Sequence, residues 1–177
     1  MLADAYLDVP PIRANFVQGA NGRFVDEAGS SRGISNPTDL QRLLELRVLS
    51  DILVTDGKTA RLEQYKIPKS TDLAVITRRG YTPRASVSSH RYLELRQSPE
   101  AAIGHLIELG YQRILLELGP KVFAEIVKAG IPVELCLTNT GGSDPQLDKL
   151  GIGSAELVFQ ETHGDTRFTI WRQIQSL

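Results

Sequence analysis

The sequence predicts a three-layer α/β fold: a central, mostly parallel mixed sheet, helices on both faces, and an antiparallel hairpin at the C-terminus. Three observations predict it. Short apolar runs alternate with segments whose apolar residues recur at helical spacing, the order of strand–helix–strand units. Polar loops follow several of the strands, at 19–35, 56–60, 78–81 and 117–120, which gathers them on one sheet edge. Two β-prone runs flank His163-Gly164-Asp165-Thr166, a hairpin pattern.

Residues 1–11 end in Pro10-Pro11 and read as an extended arm before one domain over 12–177. Ile12 to Gln18 has β-prone residues and no breaker, so it reads as the first strand. Asn36-Pro37-Thr38-Asp39 is a helix start, with Asn36 as N-cap, Pro37 at the first helical position and Asp39 on the dipole. Leu40, Leu43, Leu44 and Val48 then form one apolar stripe, and the helix stops near Ser50. Asp51 to Thr55 is a short buried strand, followed by a second polar loop, Asp56 to Thr59. Asp72 to Thr77 is the next strand, followed by Arg78-Arg79-Gly80. A short strand is expected within Ser86 to Leu95. Ser98-Pro99-Glu100 opens a helix through Leu109, with Ala102, Ile103, Leu106 and Ile107 inward and Gly110 after its end. Ile114 to Glu117 is a strand that runs through Gly119-Pro120 into an amphipathic helix ending at Gly130. Val133 to Thr138 is a strand, and 139–153 a Gly- and Asp-rich loop. The closing hairpin pairs Ala155–Thr162 with Arg167–Gln173.

Composition excludes several function classes. The 177 residues, 41% hydrophobic and 23% charged, suit one sizeable core. A net charge of −1 gives no bulk attraction to nucleic acid or to an anionic membrane. No apolar run approaches the roughly 20 residues that span a bilayer, and the N-terminus lacks a signal-peptide pattern. The single cysteine, Cys136, sits in an apolar strand, so no disulfide framework is expected and a reducing cytoplasm fits. His90, His105 and His163 are far apart, without metal-ligand spacing. His105, beside an apolar stripe, reads as a partly buried packing residue. No metal site is expected.

The segment from Ile114 to Gly130 carries the most chemistry. A strand ends at the carboxylate of Glu117, and a Gly-Pro turn opens a helix. Ligands of open α/β sheets collect at the carboxyl ends of strands. The first turn of a helix offers free N–H groups to a phosphate.

Several further motifs stand in order with it. Ile12-Arg-Ala-Asn-Phe-Val17 precedes Asn21-Gly22. Ala28-Gly29-Ser30-Ser31 and Ser35-Asn36-Pro37 precede the first helix. Leu46-Arg47 precedes Asp51-Ile-Leu-Val54. Gly57-Lys58-Thr59-Ala60-Arg61 precedes Glu117-Leu118-Gly119-Pro120 and Val133-Glu134-Leu135. Together these resemble the reductase domain of bacterial riboflavin biosynthesis, a branch of the dihydrofolate reductase fold. The resemblance runs from about Ile12 to Thr140 and more loosely to the end. Asn21 stands where that family has Asp, and Leu118 where its phosphate loop has a first glycine.

The resemblance implies an NADPH-dependent reductase of a small heterocyclic or carbonyl substrate, similar to the 5-amino-6-(5-phosphoribosylamino)uracil reductase. It is expected as a stand-alone member, without the fused zinc deaminase half, and as a homodimer. By resemblance Ser31, Arg47, Glu117 and Asn21 contact substrate. Gly57, Thr59 and Glu63 touch the nicotinamide half of the cofactor. Gly119, Pro120, Lys121, Val122 and Phe123 cradle its pyrophosphate. Thr77 and Arg78 stand where the fold receives the adenosine 2′-phosphate.

Plainer readings stay open beside these. Arg47 suits either an anionic substrate tail or the C-terminal dipole of its own helix. Ser31 is either a ligand contact or a loop residue, and Arg78 with Arg79 either a phosphate site or a solvated basic pair. Leu118 opens a second functional reading, a non-catalytic ligand-binding relative with a degenerate phosphate loop. A third is a true dihydrofolate reductase, which places a carboxylate on its first helix; Asp39 and Glu45 are the candidates.

Overall fold

The computed structural model describes residues 12–84 and 90–177. The expected arm at 1–11 and the start of the expected 86–95 strand lie outside them. Eight strands form one sheet: β1 (Ile12–Gln18), β2 (Ile52–Asp56), β3 (Asp72–Ile76), β4 (Tyr92–Leu95), β5 (Ile114–Glu117), β6 (Glu134–Thr140), β7 (Ile152–His163) and β8 (Thr166–Ser176). Their spatial order is β4-β3-β2-β5-β1-β6-β8-β7. The first six pair in parallel. β8 joins β6 antiparallel, and β7 closes the edge as its hairpin partner.

The helices are α1 (Pro37–Val48), α2 (Gly57–Glu63), α3 (Pro99–Glu108) and α4 (Pro120–Lys128). Crossover direction decides their faces. The connections β1–α1–β2 and β2–α2–β3 run one way along the sheet, whereas β4–α3–β5 and β5–α4–β6 run the other. Right-handed crossovers in opposite directions lie on opposite faces. The core accordingly splits in two. One layer holds Ala102, Ile103 and Leu106 of α3 and Phe123, Ile126 and Val127 of α4 against Ala14, Phe16, Val54, Ala74 and Leu116. The other holds Leu46 of α1 and Ala60 of α2 against Leu53, Leu73, Val75, Leu115 and Cys136. The expected three-layer architecture and its C-terminal hairpin are present.

Local signals set the helix starts. Asn36 Oδ1 accepts the Asp39 amide at 2.9 Å, and Pro37 opens α1. Ser98 caps α3 before Pro99, and Pro120 opens α4 without a side-chain cap.

Four expectations are corrected. The polar loop expected at 56–59 is the start of α2, because Asp56 is its N-cap and Gly57 its first residue. The apolar stripe of α1 does not face the core: Leu40, Leu44 and Val48 are exposed, while Asp39, Arg42 and Leu46 are buried. The reason is that α1 lies over a partly polar floor, and Arg42 stacks its guanidinium carbon 4.5 Å from the Phe168 ring centroid. On α3, Ile107 and His105 are both exposed, since the helix buries only its 102–103–106 face. The hairpin is longer than expected at both ends, and a 3-10 turn at Leu147–Leu150 occupies the expected loop.

Phe123 couples α4 to the sheet. It is fully buried and packs against Phe16 with ring centroids 5.1 Å apart. Phe123→Ala is expected to cost about 3–5 kcal/mol of stability in urea unfolding; a loss below about 1 kcal/mol would show that this layer repacks freely.

Candidate functional site

β1 and β5 are neighbours whose following helices leave to opposite faces. That divergence opens a crevice at their carboxyl ends. A cleft of about 700 Å³ lies there, walled by α1, α2 and the 24–36 loop and lined at the strand ends by Asn15, Glu117, Gly119 and Pro120. Ser31, Arg47, Thr59 and Glu63 also line it. Seven sequence-nominated residues therefore meet around one cavity: Ser31, Arg47, Thr59, Glu63, Glu117, Gly119 and Pro120.

At its centre stands an ion pair. Arg47 Nε and Nη2 donate to Glu117 Oε1 and Oε2 at 2.8 and 2.6 Å. The Tyr65 hydroxyl donates to the same Oε2, and the guanidinium lies 5.6 Å from the Tyr65 ring centroid. Burial is the largest influence on the Arg47 pKa and works to lower it, but the Glu117 charge, its hydrogen bond and the Tyr65 contacts together outweigh it, and the net shift is upward. Burial, then the Glu117 charge, pushes the Tyr65 phenol well above its ordinary value. Arg47 therefore answers Glu117 across the cleft rather than its own helix terminus.

Glu63 is turned away from a nicotinamide role. Its Oε1 accepts from Ser30 Oγ, Ser31 N and Ser31 Oγ at 2.9, 2.7 and 3.1 Å, and its Oε2 pairs with Arg32 at 2.9 Å. This carboxylate anchors the loop that walls the cleft, and Ser31 is placed by it.

Asp56 joins two turns. Its Oδ1 accepts the Lys58 and Thr59 amides, and its Oδ2 accepts the Thr59 hydroxyl at 2.8 Å and the Gly119 amide at 2.7 Å. The Thr59 hydroxyl and Gly119 N–H nominated for the cofactor are thus held within the protein. A Cβ at Gly119 would lie 3.3 Å from Asp56 Oδ2 and 3.4 Å from Thr59 Oγ1, so a side chain there would press these two groups by a few tenths of an ångström.

The structure leaves the other nominated residues outside this cavity. Asn21 is exposed, and its side chain accepts the Arg23 amide in a local turn. Phe123 is in the core, with its amide donated to the Gly119 carbonyl. Pro120 has no N–H. Of the turn's expected donors, the Lys121 and Val122 amides make no hydrogen bond among the described residues. Gly57 and Thr77 face each other, since a Cβ at Gly57 would fall 2.4 Å from Thr77 Oγ1; Arg78 beside them is exposed. Leu118, by contrast, lines the cleft, and it is 4% exposed and also packs in the core. Its backbone is not among the positive-φ residues, so the fold demands no glycine there.

Sequence reasoning missed Asn15, Asp56 and Tyr65, and gave Asp39 only to the third reading. A polar residue inside an otherwise apolar strand was the signal for Asn15. Asp-Gly-Lys-Thr at a strand end was the capping signal for Asp56. Tyr65 had no sequence signal. Asp39 lines the cleft yet is only 3% exposed. Burial raises its carboxyl above the ordinary value of 3.8, opposed by the Ser35 hydroxyl, which donates to Oδ2 at 2.6 Å, by the nearby Thr138 hydroxyl and by Arg42; the Glu117 charge adds to the rise. Glu45, the other helix candidate, instead accepts from Gln41 at the surface.

A carboxyl with a raised pKa binds its proton more tightly in the folded state than in the unfolded chain. Stability therefore falls as pH climbs from the ordinary carboxylate range through the folded pKa. Asp39→Asn removes that slope. Relative to wild type it should gain stability progressively as pH rises above the ordinary carboxylate range. Urea midpoints that differ by a constant amount over that rise would show that Asp39 carries no such penalty.

No protein-family model and no curated protein matches the sequence. Solved structures match it along most of its length. A pyrimidine reductase-like protein from Corynebacterium diphtheriae superposes with a TM-score of 0.70 at 18% identity, covering 96% of this chain and 94% of that one. A putative riboflavin biosynthesis protein from a Shewanella species gives 0.68 at 15% identity over 92% and 98%. Acinetobacter baumannii RibD gives 0.71 at 12% identity, covering 92% of this chain but only 58% of that protein. The chain has the dihydrofolate reductase-like fold of the riboflavin-pathway reductase domains.

Proposed function

We propose that this chain is a reductase that uses NADPH to reduce a small heterocyclic or carbonyl compound. One observation carries the reading: a single cleft joins a strand-end carboxylate, Glu117, to the uncapped start of α4. The first offers a fixed charge to a substrate, the second offers amides to a phosphate. The fold shared with reductase domains supports it.

The residues fit the cofactor in part. The Lys121 and Val122 amides have no hydrogen-bond partner among the described residues, and Gly119 keeps the turn open to close approach, so this turn would hold the diphosphate. Bound NADPH would supply the hydride. The chain's own residues then position and enclose the substrate. Arg47 and Tyr65 fix Glu117 at the strand end, and Glu63 holds the Ser30–Arg32 segment as a wall. Arg78, exposed beside Thr77, would read a 2′-phosphate.

A second reading is a ligand-binding relative that no longer takes a dinucleotide. Asp56 favours it, because its carboxylate already holds the Gly119 amide beside the expected phosphate position. A fluorescence titration of the wild-type protein with NADPH separates the two. Saturable binding with NADPH consumption on a panel of pyrimidine and carbonyl compounds supports the reductase. Absence of binding supports the relative.

Two variants sharpen that titration. Arg78→Ala should weaken NADPH about tenfold and leave NADH nearly unchanged, since a charge-assisted contact to phosphate is worth roughly 1.5–3 kcal/mol. Equal losses for both nucleotides would remove Arg78 from the 2′-phosphate site. Leu118→Gly should lower stability by about 2–5 kcal/mol without tightening NADPH, because the leucine fills the core. A clear gain in affinity would mean that its side chain obstructs the phosphate.

A further inference from the structure

Apolar side chains form much of the cleft wall. Leu40 and Leu43 of α1 line it, three residues apart on one helical face. Val17 of β1, Phe24 and Val25 of the loop that follows, and Leu118 just after β5 line it too. Val17, Phe24 and Leu118 are buried, whereas Leu40 is 52% exposed and Leu43 and Val25 are half-buried. Apolar surface left open on a concave wall is stabilised by an apolar ligand that covers it.

The groups that would hold an anion are already engaged within the protein. The lining cations are Arg32, Arg47 and Lys66. Arg47 holds Glu117 through two hydrogen bonds, and Arg32 holds the Glu63 carboxylate at 2.9 Å. The Glu117 side chain is only 7% exposed. An anion that drew Arg47 away would strand a buried carboxylate, a heavy cost. Lys66 is exposed, where solvent and salt screen its charge. The hydroxyl donors are spent in the same way. Ser31 donates to Glu63, Ser35 to Asp39, Thr59 to Asp56 and Tyr65 to Glu117. A phosphate or a polyhydroxylated tail would therefore enter an apolar cleft that has no side-chain hydroxyl to offer it and no arginine without a carboxylate.

We infer that the cleft takes an uncharged compound with an apolar body and excludes substrates that carry a phosphate or a carboxylate. The apolar body lies against Leu40, Leu43 and Val25, and the polar end meets the strand ends, where Arg47 and Glu117 present a dipole without net charge. Burying an anion here costs its hydration with no free counter-charge to repay it. The substrate class differs from the phosphoribosylated one that the sequence resemblance implies. The backbone amides at the start of α4 are separate from these side chains and stay available to a diphosphate. The inference narrows the substrate of the proposed reductase and rests on that reading only for the cleft being its substrate site.

The test compares three probes in chemical-shift titrations of the whole protein without nucleotide: acetophenone, 4-acetylbenzoate, which adds one carboxylate to the same ring ketone, and ribose 5-phosphate. Wild type should bind acetophenone about tenfold or more tightly than 4-acetylbenzoate, with shifts at the Leu40, Leu43 and Val25 methyls. Ribose 5-phosphate should leave those methyls unmoved. Leu43→Gln should weaken acetophenone several-fold. Glu117→Gln, close to isosteric, removes the counter-charge of Arg47 and should narrow the preference for acetophenone to about threefold or less. Equal or tighter wild-type binding of 4-acetylbenzoate, saturable shifts of those methyls by ribose 5-phosphate, binding of no probe, or a preference unchanged in Glu117→Gln overturns the inference. The wild-type comparison needs no variant to fold, and no arm contains NADPH. A protein that fails to bind NADPH yet discriminates the probes would sink the cofactor reading and leave the neutral cleft standing. One that binds NADPH but prefers the acid would sink the neutral cleft alone.

Discussion

The handedness of parallel crossovers governs this molecule. Right-handed connections from β1 and from β5 travel in opposite directions along the sheet, so α1 and α4 must cover opposite faces. Between the two departures the cleft opens at the strand ends. The cleft is a consequence of that topology rather than of any one side chain. It also explains why Glu117, the last residue of β5, can be a carboxylate in a strand otherwise made of Ile114, Leu115 and Leu116. Only at the strand end does an ionised group find a partner, here Arg47 from the facing helix.

Polar groups are concentrated where the two layers part. Away from the cleft the α1 side of the sheet carries Leu53, Leu73, Val75 and Leu115 beside the buried Arg13–Glu134 ion pair. Toward the carboxyl ends it changes to Asn15, Thr55, Glu117 and Thr138. Each buried polar atom without a partner costs roughly 1–3 kcal/mol, and two such atoms, on Asn15 and Thr55, lie here beside Asp39 and Thr138. That is a large local penalty for a domain of ordinary marginal stability. The remainder of the fold offsets it, chiefly through the fully buried layer of Phe123, Ile126, Leu106 and Ile103 on the opposite face. Strain and unsatisfied polarity cluster at functional sites for this reason.

Rigid tethers keep the cleft in shape. Asp56 ties the start of α2 to the turn before α4, so the two loops at the ends of neighbouring strands move as one unit. Glu63 does the same for the Ser30–Arg32 segment. Both are carboxylates facing backbone amides, the stronger charge-assisted class of hydrogen bond. Both also redirect groups that a motif comparison assigns to ligands. The Thr59 hydroxyl, the Gly119 amide and the Glu63 carboxylate sit in the expected place and are occupied by one another or by the protein.

The sequence by itself determined the strands, three of the four α-helices among the described residues, and their order. Proline at helix starts, caps at Asn36 and Ser98, and short apolar runs are local signals, and each is present in the structure. It also determined the edge where the site lies, because polar loops follow the strands there. What only the tertiary structure decided is which face each side chain meets. Leu40, Leu44 and Val48 carry a helical period yet point to solvent, because α1 rests on a polar floor that no local pattern reveals. Arg47 and Glu117 are 70 residues apart, and their pairing depends on α1 crossing above the end of β5. Asp39 reads as an ordinary first-turn acid on the dipole. Its burial raises its pKa, helped by Glu117 and opposed by Ser35, Thr138 and Arg42, groups that only the folded chain brings within reach.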